Sequence, residues 1–161
     1  MNPEIGHYAL VLALAVAILQ TVLPIWGART GDAALMRVGP ALAIAFAGFI
    51  ALAFATLTAA YVQSDFSVLN VVENSHSMKP LLFRITGVWG NHEGSMLLWV
   101  LVLAVFGALV ALFGSNLPAS LKANVLGVQA SIAVAFLLFI LLTSNPFIRV
   151  VPPPAEGQDL N

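Results

Sequence analysis

The stretch GSMLLWVLVLAVFGALVALFGSNLPASL, residues 94–121, is mostly apolar and contains no Asp, Glu, Lys or Arg. A helix needs roughly 20 apolar residues to cross the hydrocarbon core of a bilayer, and this stretch is long enough. The same holds for residues 5–28, 38–64 and 123–148. The sequence therefore predicts an all-α, polytopic membrane protein with four transmembrane helices, near residues 6–26, 38–62, 94–114 and 124–144.

The composition of the whole chain agrees with this class. Of its 161 residues, 60% are apolar and 8% are charged, and the mean hydropathy is +0.98, whereas a soluble domain carries about 25% charged residues. The net charge of −1 argues against nucleic-acid binding, which needs a basic surface. The absence of cysteine excludes a disulfide and a thiol-ligated metal. The first apolar run is too long for a cleaved signal peptide, and no Lys or Arg precedes Arg29.

Residues 63–93 form a long loop between the second and third predicted helices. Loops of this length are usually functional or disordered, and the apolar segments at 66–72 and 81–89 favour an ordered loop. Pro80 is expected to begin a short helix that ends near Gly87. The four-helix region, residues 1–144, is followed by a polar, proline-rich tail at 145–161, which we expect to be extended and to lead into a missing continuation.

The basic residues bear on orientation. They divide equally between the two short connections and the long loop with the tail: Arg29, Arg37 and Lys122 against Lys79, Arg84 and Arg149. Because the positive-inside bias is read best from short loops, we expect the short connections in the cytoplasm. Both termini and the long loop would then lie outside.

Small residues recur at every fourth position in three of the predicted helices. They are Ala9, Ala13 and Ala17 in the first, Ala43, Ala47, Ala51, Ala55 and Ala59 in the second, and Gly127, Ser131 and Ala135 in the fourth. Such stripes predict close helix packing within this chain or with a partner, although alanine is also simply common in apolar helices. No ionisable residue lies near the middle of a span, which argues against an ion-translocating chain.

Polar residues collect in VWGNHEGS, residues 88–95, directly before the third predicted helix. His92 and Glu93 begin an H-E pair, but Met96 occupies the position of the second histidine in the zinc-peptidase pattern H-E-x-x-H, so no metal site is predicted. Glu93 at the start of a helix would stabilise its dipole, and Trp89 would suit the membrane interface. The interpretation of this segment as a membrane-interface anchor explains Asn91 and His92 less well. A functional site therefore remains the alternative.

The motif resembles that of a known family. The pattern W-G-x-H-E-G-S followed by L-L-W resembles the CcmF family, the haem lyase component of cytochrome c maturation. Its positions here are Trp89, Gly90, His92, Glu93, Gly94, Ser95, Leu97, Leu98 and Trp99. MNPEIGHYAL, YVQSDFSVLNVVENS, TSNPF and EGQDLN resemble other segments of the family, so the resemblance covers the whole chain.

Members of that family are several times longer, with a tryptophan-rich haem-handling signature and haem-binding histidines that this chain lacks. The resemblance therefore implies the amino-terminal portion only, as a truncated sequence or one piece of a split subunit. It implies a multi-pass protein of the bacterial inner (plasma) membrane that assists covalent attachment of haem to apocytochrome c at the periplasmic face. Both termini and the long loop would then be periplasmic. A relative that serves nitrite-reductase cytochromes would share these motifs, so the client stays open.

The resemblance also implies a cofactor, partners and a site. The cofactor is haem b, held in the complete protein by ligands outside this chain. The partners are other membrane subunits of cytochrome c maturation, a haem chaperone, apocytochrome c and membrane lipid, with no nucleic acid. The residues beside the haem or apocytochrome path are Trp89, Gly90, Asn91, His92, Glu93, Gly94 and Ser95.

No complete catalytic constellation is present, so no catalytic residue is assigned. Two alternatives stay open. One is a transporter or energy-coupling membrane subunit, and the other is a purely structural membrane scaffold.

Overall fold

The structure is a computed structural model that describes residues 2–160. The two end residues, and the predicted continuation after residue 161, lie outside the described part. The elements in chain order are α1 (Asn2–Thr30), α2 (Ala33–Gln63), α3 (Leu69–Asn74), α4 (Leu81–Gly87), α5 (His92–Phe113) and α6 (Ala119–Thr143), with a 3-10 turn at Gly114–Asn116. Four of the helices, α1, α2, α5 and α6, are long and apolar enough to cross a membrane. The prediction of an all-α chain with four apolar helices is confirmed.

The long helices extend past the apolar runs into polar residues at several ends. α2 starts five residues before the predicted position because Asp32 caps it: its Oδ1 accepts hydrogen bonds from the amides of Ala34 (2.8 Å) and Leu35 (3.3 Å). Pro24 and Pro40 lie inside α1 and α2, where neighbouring helices in a membrane bundle tolerate them. Hydropathy thus locates a span, while capping decides where its helix begins.

The core lies between the four long helices. α1 packs against α2 and α6, and α5 packs against α2 and α6. Large side chains that are fully buried fill the centre: Leu10, Phe46, Ile50, Leu57, Leu97, Leu137 and Ile140. Gly127 of α6 lies so close to α1 that a methyl group there would press on the Ile25 side chain. Gln20 of α1 donates from Nε2 to the Leu126 carbonyl oxygen at 3.1 Å, so these two helices are also joined by a hydrogen bond.

The small-residue stripes behave differently in different helices. Ala9, Ala13 and Ala17 are all buried, as expected for a packing face. In α2, Ala43 is buried but Ala51 and Ala55 are exposed. A step of four residues advances about 400° around a helix, so a stripe with that spacing drifts by roughly 40° per step. Only its first part therefore packs within this chain, and the same holds for α6.

In α6, Gly127 is buried, while Ser131 and Ala135 are exposed. The buried face of α2 instead follows the true helical period. It runs through Ala43, Phe46, Ile50, Ala53, Leu57 and Ala60.

The long loop is folded over one end of the bundle. Pro80 precedes α4, which ends at Gly87 as predicted. Arg84 donates from Nη1 to the Val62 carbonyl oxygen (2.9 Å) and to Ser64 Oγ (3.3 Å) at the end of α2. A cation at this position stabilises the negative end of a helix dipole, so α4 is tied to the helix that precedes the loop.

The tail lies across this loop. Backbone hydrogen bonds join Leu69 to Ile148 (2.9 Å), Ser67 to Val150 (2.9 Å) and Val72 to Gln158 (2.7 Å). The Lys79 ammonium contacts the Asp159 carboxylate at 2.6 Å. The guanidinium of Arg149 forms an ion pair with Glu4 at the start of α1 and lies 3.8 Å from Asp65 in the loop.

The start of α1, the loop and the tail therefore meet at one end of the bundle. The short α1–α2 and α5–α6 connections lie at the other end.

Candidate functional site

The VWGNHEGS segment joins α4 to α5 at the end of the bundle covered by the loop. Asn91 is the cap of α5: its backbone is extended, and its Oδ1 accepts a hydrogen bond from the Gly94 amide at 2.8 Å. This satisfies one of the amides that the first turn of a helix leaves without a partner. Glu93 lies in that first turn, as predicted, where its charge faces the positive end of the helix dipole.

Asn91 also belongs to a closed ring of side-chain hydrogen bonds that joins three helices. The Tyr61 hydroxyl of α2 donates to Asn70 Oδ1 of α3 at 2.7 Å. Asn70 Nδ2 donates to Asn91 Oδ1 at 3.0 Å, and Asn91 Nδ2 donates back to the Tyr61 oxygen at 2.9 Å. Tyr61 and Asn70 are buried, where an unpaired polar group costs about 1–3 kcal/mol. We call these three residues the Tyr61–Asn70–Asn91 ring.

Glu93 is attached to this ring. The Asn70 amide, which carries two hydrogens, donates to Asn91 and also to Glu93 Oε2 at 3.2 Å. Glu93 borders a small cavity of about 50 Å³, together with Glu73 of α3 and with Ser144 and Asn145 at the end of α6. The carboxylate is therefore half-buried and oriented by α3.

Gly94 makes a close contact inside the chain. A methyl group at its Cα would overlap the Val88 carbonyl oxygen, whereas one at Gly90 would meet only ordinary neighbours at 3.6 Å. The turn into α5 therefore requires a glycine at Gly94 but not at Gly90. Ser95 donates from Oγ to the His92 carbonyl oxygen at 2.9 Å, again within the first turn.

His92 points away from the ring. Its side chain is exposed, and its imidazole lies nearly perpendicular to the Phe139 ring, with centroids 6.1 Å apart. Within residues 2–160 the imidazole nitrogens make no hydrogen bond. With Met96 of α5 and Ala135, Phe136 and Phe139 of α6, His92 lines an apolar groove of about 300 Å³. A single polar ring thus stands at the edge of an apolar surface.

The side chain of Trp89 is also partly exposed. It is 39% exposed, and its ring stacks on Phe54 of α2 with centroids 6.5 Å apart and planes at 18°. The seven predicted residues therefore fall into two groups. Asn91, Glu93, Gly94 and Ser95 build the turn and its hydrogen bonds, whereas Trp89, Gly90 and His92 have exposed surface.

Tyr61 and Asn70 are site residues that the sequence did not single out. A signal was present for Asn70, because it interrupts the apolar run VLNVV with a carboxamide. The sequence carries no such signal for Tyr61, since a tyrosine at the end of a span is ordinary at a membrane interface. Their pairing with Asn91 depends on how the loop folds back.

The histidines lie in three different surroundings. His7 of α1 faces the Asn145 amide at 3.1 Å, and His76 of the loop lies 3.4 Å from Glu156 of the tail. His92 is in the groove beside α6. Among the described residues, no group of three or more His, Asp or Glu is placed to hold a metal ion.

Comparison with known proteins gives consistent results. A family model described as cytochrome C assembly protein matches residues 89–161. The cytochrome c-type biogenesis protein CycK of Rhizobium meliloti is 66% identical over 158 residues, which is 98% of this chain and 23% of that protein. The cytochrome c-type biogenesis protein CcmF of Haemophilus influenzae is 43% identical over 162 residues, which is 100% of this chain and 25% of that protein.

A solved structure, that of the cytochrome c haem lyase CcmF, has the same fold. It superposes with a TM-score of 0.86 at 28% identity, over 91% of this chain and 25% of that one. The chain thus spans about a quarter of the length of the proteins that it matches.

Proposed function

The chain belongs to the CcmF family of cytochrome c-type biogenesis proteins, as its amino-terminal portion, and we propose that it forms part of a haem lyase that assists attachment of haem to apocytochrome c. The observation that carries this proposal is the VWGNHEGS turn. The Tyr61–Asn70–Asn91 ring fixes the turn from beneath and leaves Trp89 and His92 with exposed surface. Such an arrangement presents two aromatic side chains in a defined position at one end of a membrane bundle.

The ligand chemistry of the groove fits a large, mostly apolar planar molecule or an apolar peptide segment. Phe136 and Phe139 supply aromatic surface and Met96 a flexible thioether, while His92 offers one hydrogen-bonding or proton-transferring ring. We place this surface beside the haem or apocytochrome path. The other five residues of the predicted site, residues 89–95, maintain the shape of the path or border it: Gly90, Asn91, Glu93, Gly94 and Ser95.

Haem b is proposed as the cofactor of the complete protein, with ligands outside this chain. Two axial histidines must face each other across the iron, but the three histidines of this chain lie in separate surroundings beside Asn145, Glu156 and Phe139. These residues therefore do not fit a bis-histidine haem site.

The proposed location is the bacterial inner membrane, with the long loop and both ends of this chain on the periplasmic side. Support comes from Arg29, Arg37 and Lys122, which lie in the helix ends that flank the short connections, at the opposite end of the bundle. The proposed partners are the other membrane subunits of cytochrome c maturation, a haem chaperone and apocytochrome c. No feature of the described residues favours a transporter.

The test is His92→Phe in the full-length protein, expressed at native level in cells that lack the wild-type gene. Phenylalanine keeps an aromatic ring in the groove and removes both polar atoms. We expect a normal amount of the protein in the membrane and a holocytochrome c yield lowered at least threefold. Trp99→Phe is the matched control, because Trp99 is an exposed aromatic of the same helix that lies outside the groove, and its yield should stay normal.

An unchanged yield with His92→Phe would return the segment to the role of a structural scaffold. Loss of the protein itself from the membrane would also favour that role.

A further inference from the structure

A second cavity lies at the opposite end of the bundle, away from the long loop. Its volume is about 380 Å³, and it is walled by the start of α2, the 3-10 turn after α5 and the start of α6. All three are ends of helices that can cross a membrane. In a bilayer, a cavity among such helix ends lies at the depth of the lipid headgroups.

Two cationic side chains line this cavity, Arg37 from α2 and Lys122 from α6. Each makes one contact to a main-chain carbonyl: Arg37 Nε donates to Ala33 at 3.2 Å, and Lys122 Nζ donates to Ala111 at 2.8 Å. A guanidinium has five N–H donors and an ammonium has three, so most of their donors stay available. Among the described residues neither cation is in an ion pair, and no carboxylate lines the cavity.

The rest of the wall is largely apolar. Met36, Pro40 and Leu117 contribute hydrocarbon surface, and Ser115 adds a hydroxyl. A free phosphate ion would pair with the cations but would gain nothing from this hydrocarbon surface. A phospholipid uses both, because its phosphate pairs with basic side chains between helices while its acyl chains lie on the apolar helix surface.

We propose that this cavity binds an anionic phospholipid. The phosphate lies between Arg37 and Lys122, and the first part of the acyl chains lies against Met36, Pro40 and Leu117. This binding is independent of the proposed work at the loop end of the bundle. It would fix the position of α2 relative to α6, two helices that carry the short connections.

The experiment measures lipid retention by native mass spectrometry of the purified full-length protein in neutral detergent. The probes are phosphatidylglycerol, phosphatidylcholine and inorganic phosphate. We expect retention of phosphatidylglycerol in preference to phosphatidylcholine, with no displacement by inorganic phosphate at the same concentration. The double variant Arg37→Gln with Lys122→Gln should retain at least fivefold less phosphatidylglycerol, while Lys122→Arg should retain a normal amount.

Arg29→Gln is the matched control, because Arg29 lies at the same end but lines a different groove beside Trp26. It should leave retention unchanged. Lys122 also holds the end of α5, so the double variant could fail to fold; Arg37→Gln alone, at an exposed residue, should then lower retention at least twofold.

Three results would each overturn the proposal. They are equal retention of the two lipids, normal retention in Arg37→Gln, and displacement of the lipid by inorganic phosphate. The last would reveal a site for a free anion.

Discussion

Asn91 shows how a single side chain can decide the shape of a turn. Its carboxamide oxygen caps α5 and accepts from Asn70, while its amide donates to Tyr61 and to the Gly87 carbonyl oxygen at 2.9 Å. An aspartate would keep the cap and lose the donors, and a serine would be too short to reach Tyr61. The residue type is therefore fixed by the sum of its partners rather than by helix capping alone.

Replacing Asn91 tests the ring. Asn91→Ala removes a cap, which costs about 1 kcal/mol, and it removes one hydrogen bond each from buried Tyr61 and Asn70, at about 0.5–1.5 kcal/mol per bond. Tyr61 and Asn70 keep their bond to each other, and Asn70 keeps its bond to Glu93. We expect a loss of roughly 2–4 kcal/mol in the free energy of unfolding, measured by denaturation of the purified protein in mild detergent. In a Tyr61→Phe background the added loss should be smaller, because the hydrogen bond between Asn91 and Tyr61 is already absent. Equal losses in both backgrounds would show that the ring does not act as a unit.

Gly94 gives a second test at this scale. Gly94→Ala forces a methyl group against the Val88 carbonyl oxygen, and overpacking of this kind costs about 1–3 kcal/mol. We expect a clear fall in the thermal unfolding midpoint. Gly48→Ala is the control: Gly48 is in the interior of α2 with open space around its Cα, so alanine there should be neutral or stabilising. Similar effects of the two substitutions would contradict the close contact at Gly94.

At the scale of elements, the sequence predicted the helices far better than their contacts. The four apolar helices and the short helix after Pro80 follow from local signals, namely charge-free runs and the preference of proline for the first turn of a helix. The pairing of Tyr61 with Asn70 and Asn91, and of Lys79 with Asp159, joins residues that are far apart in sequence or separated by a fold in the chain. No periodicity encodes such contacts, so the ring could not be predicted.

The contacts of the tail could likewise not be predicted from the sequence, although its conformation could. Its polar, proline-rich composition predicted an extended segment, and residues 145–160 are without helix. Besides its backbone hydrogen bonds to the loop, the tail is held by Arg149, whose side chain reaches Glu4, Ser67 and Asp65. These partners belong to α1 and to the loop, and nothing near Arg149 in the sequence marks them.

Removing that cation tests whether the attachment matters. Arg149→Gln should expose the tail to limited proteolysis several times faster, because it removes the side-chain contacts of Arg149 to both α1 and the loop. The thermal unfolding midpoint should change little, since a partly exposed ion pair contributes about 0.2–1 kcal/mol. Arg29→Gln, at the other end of the bundle, should leave the cleavage rate unchanged. Equal cleavage rates of Arg149→Gln and the unchanged protein would show that the backbone hydrogen bonds alone hold the tail.

For the molecule as a whole, the even number of long helices places the two ends of the chain on the same side of the membrane. The equal counts of basic residues on the two sides could not establish this. Four crossings return the chain to the side from which it started, and the contact between Arg149 and Glu4 brings the start of α1 and the tail together. The relative placement of the two ends is therefore fixed by the fold. The side of the membrane that they occupy depends on the basic short connections and is open to direct measurement.

The last prediction concerns that side. Residues 1–161 contain no cysteine, so in a full-length protein with any other cysteine replaced by serine, a single cysteine introduced here reports its own location through a charged thiol reagent that does not cross the membrane. Met78 in the loop is 76% exposed, and Ser120 is exposed at the start of α6. If the short basic connections are cytoplasmic, as the positive-inside bias predicts, Met78→Cys should be labelled in spheroplasts with an intact inner membrane. Ser120→Cys should react only after that membrane is permeabilised. Labelling of Ser120→Cys in intact spheroplasts would reverse the orientation and would move the VWGNHEGS segment to the cytoplasmic side, where the proposed attachment of haem could not use it.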